Sequence, residues 1–248
     1  MKLSANLGFL WNDRSLPDAI HAASAAGFDA VECHWPYDVP AERIATALAE
    51  TGLTMLGLNT SRGEAGQNGL SALSDRREDA RAAVDEALDY AAAIDAPNIH
   101  VMAGFADGAD AHAAFVETLR YACAKADRRT ILIEPLNHYD APGYFLKTTQ
   151  QANEIIQEVN LPNLKLMFDC YHVQLMEGDV SHKLARLLPI IGHIQVASVP
   201  DRGAPDHGEL SYAHIWQVLR DIGWAAPVGA EYKPKADTDA TLAWMTAV

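Results

Sequence analysis

A regular alternation of short apolar runs with longer amphipathic segments extends along the whole chain, and it constrains the fold more than any other feature. Eight runs are predicted to be strands, at residues 2–6, 30–34, 54–58, 98–102, 130–134, 164–169, 193–196 and 227–231. Seven helices are predicted between them, at residues 16–26, 41–50, 75–94, 111–126, 148–159, 180–188 and 212–222. Eight strand–helix units in 248 residues favour an α/β protein, a single (β/α)8 TIM barrel, over an open sheet.

The helical segments carry the signals expected at helix ends. Residues 75–94 have an apolar stripe at helical spacing, and Ser74 is the predicted N-cap of this helix. Gly27 and Gly52 follow the first two helices and predict that each helix stops there. A last, short helix is predicted near residues 238–245.

Composition limits the kind of protein. Because 49% of the residues are hydrophobic, we expect residues 1–248 to form one domain with a large core. The formal charge of −14 repels phosphate backbones and argues against nucleic acid as a partner. The three cysteines (Cys33, Cys123, Cys170) lack a CxxC spacing, which indicates reduced thiols and a cytoplasmic protein. With no signal peptide pattern and no apolar run of about 18 residues, no membrane contact is expected.

Four strand-like runs in the second half of the chain end on a side chain that carries oxygen. These residues are Glu134, Asp169, Gln195 and Glu231. In a barrel the carboxyl ends of neighbouring strands surround one mouth, so the four side chains should converge. Crowded carboxylates repel one another unless a cation neutralises them. An all-oxygen set favours Mg²⁺ or Mn²⁺ over zinc, and the alternative is that these residues cap strands and meet water.

Residues close to these four could act on a substrate. His172 lies three positions after Asp169 and is a candidate hydrogen-bonding group or proton relay. Arg202 has a guanidinium that suits a carboxylate, and Lys233 adds positive charge after Glu231. A structural role for His172 and a surface role for Arg202 are the alternatives.

Two long loops and several nearby side chains are expected around the same mouth. The loops span residues 60–74 and 198–211, and ordinary surface loops are the alternative. The side chains proposed to shape or wall the pocket are His138, Asp140, Phe9, Trp11, Trp35 and Tyr37, with ordinary packing as the alternative for the aromatic ones.

Five stretches form a set that is specific for one family. They are EPLNHYDAPGY at 134–144, DCYHVQLMEG at 169–178, HIQVA at 193–197, DRG…HGELSY at 201–212 and EYKP at 231–234. LSANL at 3–7 and residues 31–38 fit as well. This set resembles the hydroxypyruvate isomerase family, which belongs to the xylose isomerase-like TIM barrels, and the resemblance covers nearly the whole chain.

The resemblance implies metal ligands at Glu134, Asp169, Gln195 and Glu231, with the two glutamates as catalytic proton donor and acceptor. Related ketose 3-epimerases usually carry histidine where this chain has Gln195, which favours the isomerase branch. The loop at residues 59–63, NTSRG, departs from the Asn-Leu-Pro type of the family, so the far end of the substrate stays open.

The implied reaction interconverts hydroxypyruvate and 2-hydroxy-3-oxopropanoate through an enediolate, with a small hydroxy or oxo acid as the partner. A 2-oxo-tetronate isomerase or a ketose 3-epimerase on the same scaffold is the nearest alternative. An abasic-site endonuclease and a non-catalytic sugar- or metal-binding barrel are remote alternatives. Relatives are often oligomeric, and Trp216 and Trp224 are candidates for an interface or for core packing.

Overall fold

The computed structural model describes all residues, 1–248, and strands alternate with helices along the chain. The strands are β1 (Leu3–Asn6), β2 (Ala30–Glu32), β3 (Thr54–Met55), β4 (Gly57–Asn59), β5 (Asn98–His100), β6 (Thr130–Ile133), β7 (Leu164–Asp169), β8 (Ile191–Val196) and β9 (Val228–Ala230). The α-helices are α1 (Leu16–Ala25), α2 (Ala41–Thr51), α3 (Arg77–Ala93), α4 (Gly108–Lys125), α5 (Thr149–Val159), α6 (Cys170–Met176), α7 (Val180–Leu187) and α8 (Tyr212–Asp221). Short 3-10 helices span Leu188–Ile190, Thr238–Thr241 and Ala243–Ala247. None of the helices has both the length and the apolar character needed to cross a bilayer.

The strands form one parallel sheet that closes on itself. The order is β3-β2-β1-β9-β8-β7-β6-β5-β4, and β3 and β4 are two halves of one barrel strand separated by Leu56. β3 pairs with β2, whereas β4 pairs with β5. At the break, Leu56 N donates to Val31 O at 2.7 Å and Cys33 N donates to Gly57 O at 3.1 Å. These bonds join the two edges of the sheet, which confirms the predicted (β/α)8 barrel.

The helices bury an apolar face against the outside of this barrel. The buried face of α3 is the predicted stripe, and it consists of Ala80, Ala83, Val84, Ala87, Leu88 and Ala91. The first two helices stop at glycines as predicted, because Gly27 and Gly52 adopt φ of 87° and 72°, where other residues are strained. Sixty-five buried residues form one continuous core. That residues 1–248 unfold as one domain stays a prediction, and a single cooperative transition would support it.

Three details differ from the sequence predictions. α3 begins at Arg77 with no side-chain cap, so the assignment of Ser74 as its N-cap is wrong. A short helix, α6, follows β7 directly and was not among the predicted helices, and Asp169 caps it by accepting a hydrogen bond from Tyr171 N at 2.8 Å. Residues 238–245 contain 3-10 helix rather than an α-helix.

All carboxyl ends of the strands lie at one mouth of the barrel because every strand pair is parallel. The two long loops predicted from the sequence border this mouth, since one follows β4 and the other follows β8. A register irregularity between β7 and β8 near Leu166 and Met167 precedes the last aligned pair, Asp169 and Gln195. The fold therefore places two of the predicted ligands side by side.

Candidate metal centre and substrate cleft

The four strand-end side chains come together at one side of the mouth. Glu134 follows β6, Asp169 ends β7, Gln195 lies in β8 and Glu231 follows β9, and all four are buried. One ligand atom from each of Glu134, Asp169, Glu231 and the nearby His172 lies within 4.8 Å of the others. The structure thus gathers three carboxylates around a single point.

Three of these side chains have a buried oxygen without a hydrogen-bond partner. These atoms are Glu134 Oε1, Asp169 Oδ2 and Gln195 Oε1. An unsatisfied buried polar atom costs about 1–3 kcal/mol, so three at one site indicate that they share a ligand. Because all three are oxygens, they fit a hard divalent cation such as Mg²⁺ or Mn²⁺.

The pKa values of two carboxyls also fit a cation. Burial, followed by the charges of Glu231 and Asp169, raises the pKa of Glu134 well above its usual range. Burial and the charge of Glu231 raise the pKa of Asp169 to about 7, although Arg202 opposes this change. Both groups therefore resist ionisation until positive charge lies near them. A divalent ion would supply that charge.

Glu231 has a different environment from Glu134. Burial acts to raise the pKa of Glu231, but the charge of Arg202 and the hydrogen bond with His34 outweigh burial and lower it. Its Oε2 accepts a hydrogen bond from Arg202 Nη2 at 2.6 Å, and its Oε1 lies 3.0 Å from His34 Nε2 and 3.2 Å from Asn6 Nδ2. The two glutamates thus differ in proton affinity, which suits a pair that gives and accepts protons.

His172 is a buried, neutral ring whose tautomer follows from its partners. Its Nδ1 accepts hydrogen bonds from Asn137 N at 3.1 Å and from Asn137 Nδ2 at 2.7 Å. Since both partners are N–H groups, the proton of the neutral ring lies on Nε2. Burial lowers the pKa of His172 to about 3, so the ring stays neutral near pH 7.

The tautomer decides which role His172 suits. Its Nε2 has no hydrogen-bond partner and lies 3.5 Å from Asp169 Oδ2 and 3.9 Å from Glu134 Oε1. A nitrogen that carries a proton cannot bind a metal, but it can donate to a substrate oxygen. The geometry therefore favours a substrate contact over metal binding for His172, and both this contact and the assignment of Gln195 as a metal ligand stay predictions.

Arg202 lies in the site, but its partners differ from those expected. The sequence predicts that its guanidinium binds a substrate carboxylate, whereas Nη2 and Nη1 donate to Glu231 and to Asp140 Oδ2, the latter at 3.2 Å. Its guanidinium carbon also lies 4.8 Å from the ring centre of Phe9 and 5.0 Å from that of Tyr171. Arg202 therefore neutralises carboxylates of the protein, and its contact with a substrate stays a prediction.

Residues from the earlier strands complete the centre, and the sequence patterns did not single them out. Asn6 ends β1, Glu32 ends β2 and His100 ends β5, while His34 lies just beyond β2. The Nδ1 atom of His100 is 3.6 Å from Glu134 Oε2. A signal for two of them was present, because Asn6 and His34 end the strands predicted at residues 2–6 and 30–34.

A cleft of about 330 Å³ connects the centre with solvent. Glu134, His172 and Glu231 lie among its lining residues, and Phe9 and Trp35 wall it as predicted.

Asp140 also lines the cleft, but three other residues predicted near the pocket do not. Trp11 packs against Phe28 in the core, Tyr37 packs against Tyr90, and His138 is exposed. The prediction that these three shape the pocket is therefore wrong.

Two cations line the cleft without a salt bridge to any carboxylate of the protein. The guanidinium carbon of Arg62 lies 4.8 Å from the ring centre of Trp35, and Lys233 Nζ lies 5.8 Å from that of Phe9. Lys233 was predicted from the sequence as a substrate-binding residue. Arg62 belongs to the loop segment in which the chain departs from the related family, and this departure was its only signal.

A closed parallel barrel with acidic residues at its strand ends defines the class of protein. Residues 20–248 match the family model described as xylose isomerase-like TIM barrel. The chain is 43% identical to the 2-oxo-tetronate isomerase of Cupriavidus necator, over 98% of this chain and 97% of that protein. It is 40% identical to the human putative hydroxypyruvate isomerase, over 99% of this chain and 94% of that protein.

A solved structure is similar over the same extent. It is described as AP endonuclease, family 2, from Brucella melitensis, with a TM-score of 0.95 and 37% identity, covering 99% of this chain and 98% of that chain. The protein belongs to the hydroxypyruvate isomerase family of xylose isomerase-like TIM barrels, and it is an isomerase of that family.

Proposed function

We propose that the protein interconverts hydroxypyruvate and 2-hydroxy-3-oxopropanoate. The observation that carries the proposal is the set of buried, unpartnered oxygens on Glu134, Asp169 and Gln195, of which Glu134 lines the cleft. The neutral donor His172 lies beside them. A small acid with oxygens on two adjacent carbons can meet a shared cation and this donor together. The name of the human relative supports the same substrate.

The proposed ligands of Mg²⁺ or Mn²⁺ are Glu134, Asp169, Gln195 and Glu231. When bound, the ion would stabilise negative charge on the two substrate oxygens as a Lewis acid. Both oxygens of Glu231 already have hydrogen-bond partners, so Glu231 would use its remaining lone pairs for the ion. Asp169 is oriented for the same purpose, because its Oδ1 is held by Tyr171 N and its Oδ2 is free.

The two glutamates would move the protons. One carboxylate removes a proton from C3 of hydroxypyruvate, and the resulting enediolate receives a proton at C2 from the other carboxyl. The C3 hydroxyl loses its proton and becomes the aldehyde oxygen, while the C2 oxygen gains one. The reaction therefore breaks one C–H bond and forms another, with no net gain or loss of electrons. His172 Nε2–H would donate to a substrate oxygen while charge develops on it.

Positive groups of the cleft would hold the substrate carboxylate. Lys233 and Arg62 are the groups without a protein carboxylate as a partner, and Arg202 lies deeper in the site. Arg202 would contribute through its charge, since its two terminal nitrogens are bonded to Glu231 and Asp140. These cations offset the repulsion that a chain with a formal charge of −14 exerts on an acid.

A 2-oxo-tetronate is the second candidate substrate. The relative from Cupriavidus necator carries that name, and the cleft of about 330 Å³ falls within the range of ligand pockets, which are roughly 300–1,000 Å³. A fourth carbon would therefore find space. Both candidates carry a carboxylate and exchange oxygens between adjacent carbons, so the proposed residue roles are the same.

Three other functions have less support. A ketose 3-epimerase has less support, because related epimerases usually carry histidine where this chain has Gln195. An endonuclease would have to bind DNA with a strongly acidic chain, although a similar solved structure carries that name. A non-catalytic binding barrel is disfavoured because every predicted acidic ligand is in place.

The cellular location and the oligomeric state of the enzyme are also proposals. All three cysteines are buried and unpaired, which supports a cytoplasmic protein. Trp216 is only 2% exposed and stacks with Trp244, so core packing explains it and it is not available for an interface. A homo-oligomer stays a proposal from the family resemblance, which light scattering of the purified protein would measure.

The direct test is isomerisation of both acids by purified protein with Mn²⁺ or Mg²⁺. We expect turnover of hydroxypyruvate, incorporation of solvent deuterium at C2 of the product, and loss of turnover with a chelator. Faster turnover of a 2-oxo-tetronate would favour the second candidate. No turnover of either acid with either metal would refute the proposed function.

A further inference from the structure

Glu32, at the end of β2, contacts three side chains near the centre, which are Asn6, His193 and Gln195. It is 4% exposed. Its Oε1 accepts hydrogen bonds from Gln195 Nε2 at 2.7 Å and from Asn6 Nδ2 at 3.0 Å. Its Oε2 lies 2.7 Å from His193 Nε2. This carboxylate takes no direct part in the proposed reaction.

The contact determines which end of the Gln195 amide faces the centre. An ionised carboxylate only accepts hydrogen bonds, so Gln195 has to turn its NH₂ group toward Glu32. Its carbonyl Oε1 then points the other way, and this atom is buried without a partner. If the amide were reversed, two oxygens would face each other and an NH₂ group would face the proposed cation.

The backbone beside this pair leaves room for the carboxylate. A Cβ atom at Gly229 would lie 2.7 Å from each Glu32 oxygen and 2.9 Å from Gln195 Cγ. Real Cβ atoms do not approach that closely, so a larger residue at this position of β9 would displace Glu32 or Gln195. Two separate features of the chain thus support one contact.

We propose that Glu32 is a positioning residue that holds the carbonyl oxygen of Gln195 toward the metal. This inference rests on the proposed function only in so far as that function needs the ion. Groups that orient a metal ligand typically change metal affinity about 10–100-fold when they are removed. Because this role depends on which atoms donate and which accept hydrogen bonds, substitutions of similar size at position 32 should have different effects on metal affinity.

The test is the affinity of purified protein for Mn²⁺, measured by titration calorimetry in the absence of substrate. Glu32→Met keeps the size of the side chain but removes the acceptor, and we expect binding to weaken about 10–100-fold. Glu32→Gln should retain most of the affinity, because its amide oxygen can face Gln195, and a neutral His193 with its proton on Nδ1 can accept from the NH₂ group at Nε2. Glu154→Gln, on the exposed surface of α5, is the control and should not change binding.

A second pair of variants separates positioning from general damage. A glutamate at position 195 presents an oxygen to the centre in either orientation. Adding Gln195→Glu to Glu32→Met should therefore restore Mn²⁺ affinity by at least about tenfold. Gly229→Ala, which displaces the carboxylate, should weaken Mn²⁺ binding even if Glu32→Met fails to fold.

Several results would overturn the inference. These are wild-type affinity in folded Glu32→Met, wild-type affinity in folded Gly229→Ala, absence of recovery in the double variant, or no Mn²⁺ binding by the wild type. Mn²⁺ binding without isomerisation of either acid would refute the proposed function and leave this inference standing.

Discussion

The guanidinium of Arg202 lies against the carboxylate of Glu231, with Nη2 2.6 Å from Oε2. The contact joins the loop after β8 to the end of β9, and both groups are buried. It makes the two glutamates of the site unequal, since Glu231 has a lowered pKa and Glu134 a raised one.

Removing Arg202 should change the pH dependence of the reaction. In Arg202→Met, burial acts on Glu231 without the opposing charge, so its pKa rises and the acid limb of kcat/KM moves to higher pH. A pH–rate profile measures the shift. Arg43→Met, on the exposed side of α2, is the matched control. An acid limb that stays in place would mean that Arg202 does not set the protonation of Glu231.

Glu134 and Glu231 should each be needed for proton transfer. Glu134→Gln and Glu231→Gln keep an oxygen for the metal but lose the acid–base group, so we expect kcat to fall about 10²–10⁴-fold in each. Steady-state kinetics and deuterium incorporation from solvent follow the two steps, with Glu154→Gln as the control. If both variants keep the full rate, the assignment of these residues as proton carriers is wrong.

His172 should affect turnover without affecting the metal. Since its protonated Nε2 faces the centre, His172→Gln should lower kcat/KM about tenfold or more and leave Mn²⁺ affinity within about threefold. Asp169→Asn, in contrast, should lower Mn²⁺ affinity strongly. Calorimetry on both variants separates the two roles. A loss of affinity in His172→Gln equal to that in Asp169→Asn would make His172 a metal ligand.

In the metal-free protein, Asp169 should contribute stability that is lost as the pH rises from about 4 to about 7. The pKa of Asp169 is about 7 in the folded state against an ordinary 3.8, so this carboxyl binds more protons in the folded state than in the unfolded state in this range. Glu134 acts in the same direction, whereas the buried rings of His172 and His100, with pKa values lowered to about 3 and about 4, act in the opposite direction.

Thermal unfolding at a series of pH values measures this dependence. Asp169→Asn removes this contribution, so its stability relative to the wild type should rise between pH 4 and 7. Saturating Mn²⁺ should raise the midpoint most at the upper end of the range, because the ion binds the ionised carboxylates. A difference between Asp169→Asn and the wild type that stays constant from pH 4 to 7 would contradict the prediction.

Arg62 should matter for acids and not for uncharged substrates. Because it lines the cleft without a carboxylate partner, Arg62→Ala should raise KM for hydroxypyruvate about tenfold, and Lys233→Ala should have a smaller effect because Lys233 is exposed. An uncharged hydroxyketone, tested in the same assay, should show no change. Arg43→Ala serves as the control, and equal effects on both substrates would mean that Arg62 has only a structural role.

Much of the fold was accessible from the sequence because the signals are local. Each strand of the barrel is a short apolar run, and the amphipathic stripe of α3 repeats within the helix itself. α6 was missed because it is only seven residues long and starts on the capping carboxylate of Asp169, which sequence patterns assign to a strand end.

The candidate ligands were accessible for a related reason. Parallel strands carry their carboxyl ends to one mouth, so Glu134, Asp169, Gln195 and Glu231 could be grouped by position along the chain alone. The direction of each polar atom could not be read in this way. It depends on partners such as Asn137 for His172 and Glu32 for Gln195, and Glu32 is 163 positions away from Gln195.

The sequence by itself therefore determined the barrel, the mouth and the oxygen atoms that lie there. Only the tertiary structure decided that Arg202 contacts Glu231 rather than standing free, that His172 presents a proton, and that Gln195 presents its carbonyl oxygen. The physical reason is that hydrogen-bond polarity and pKa depend on groups brought together by closure of the barrel, and closure joins residues that have no relation along the chain.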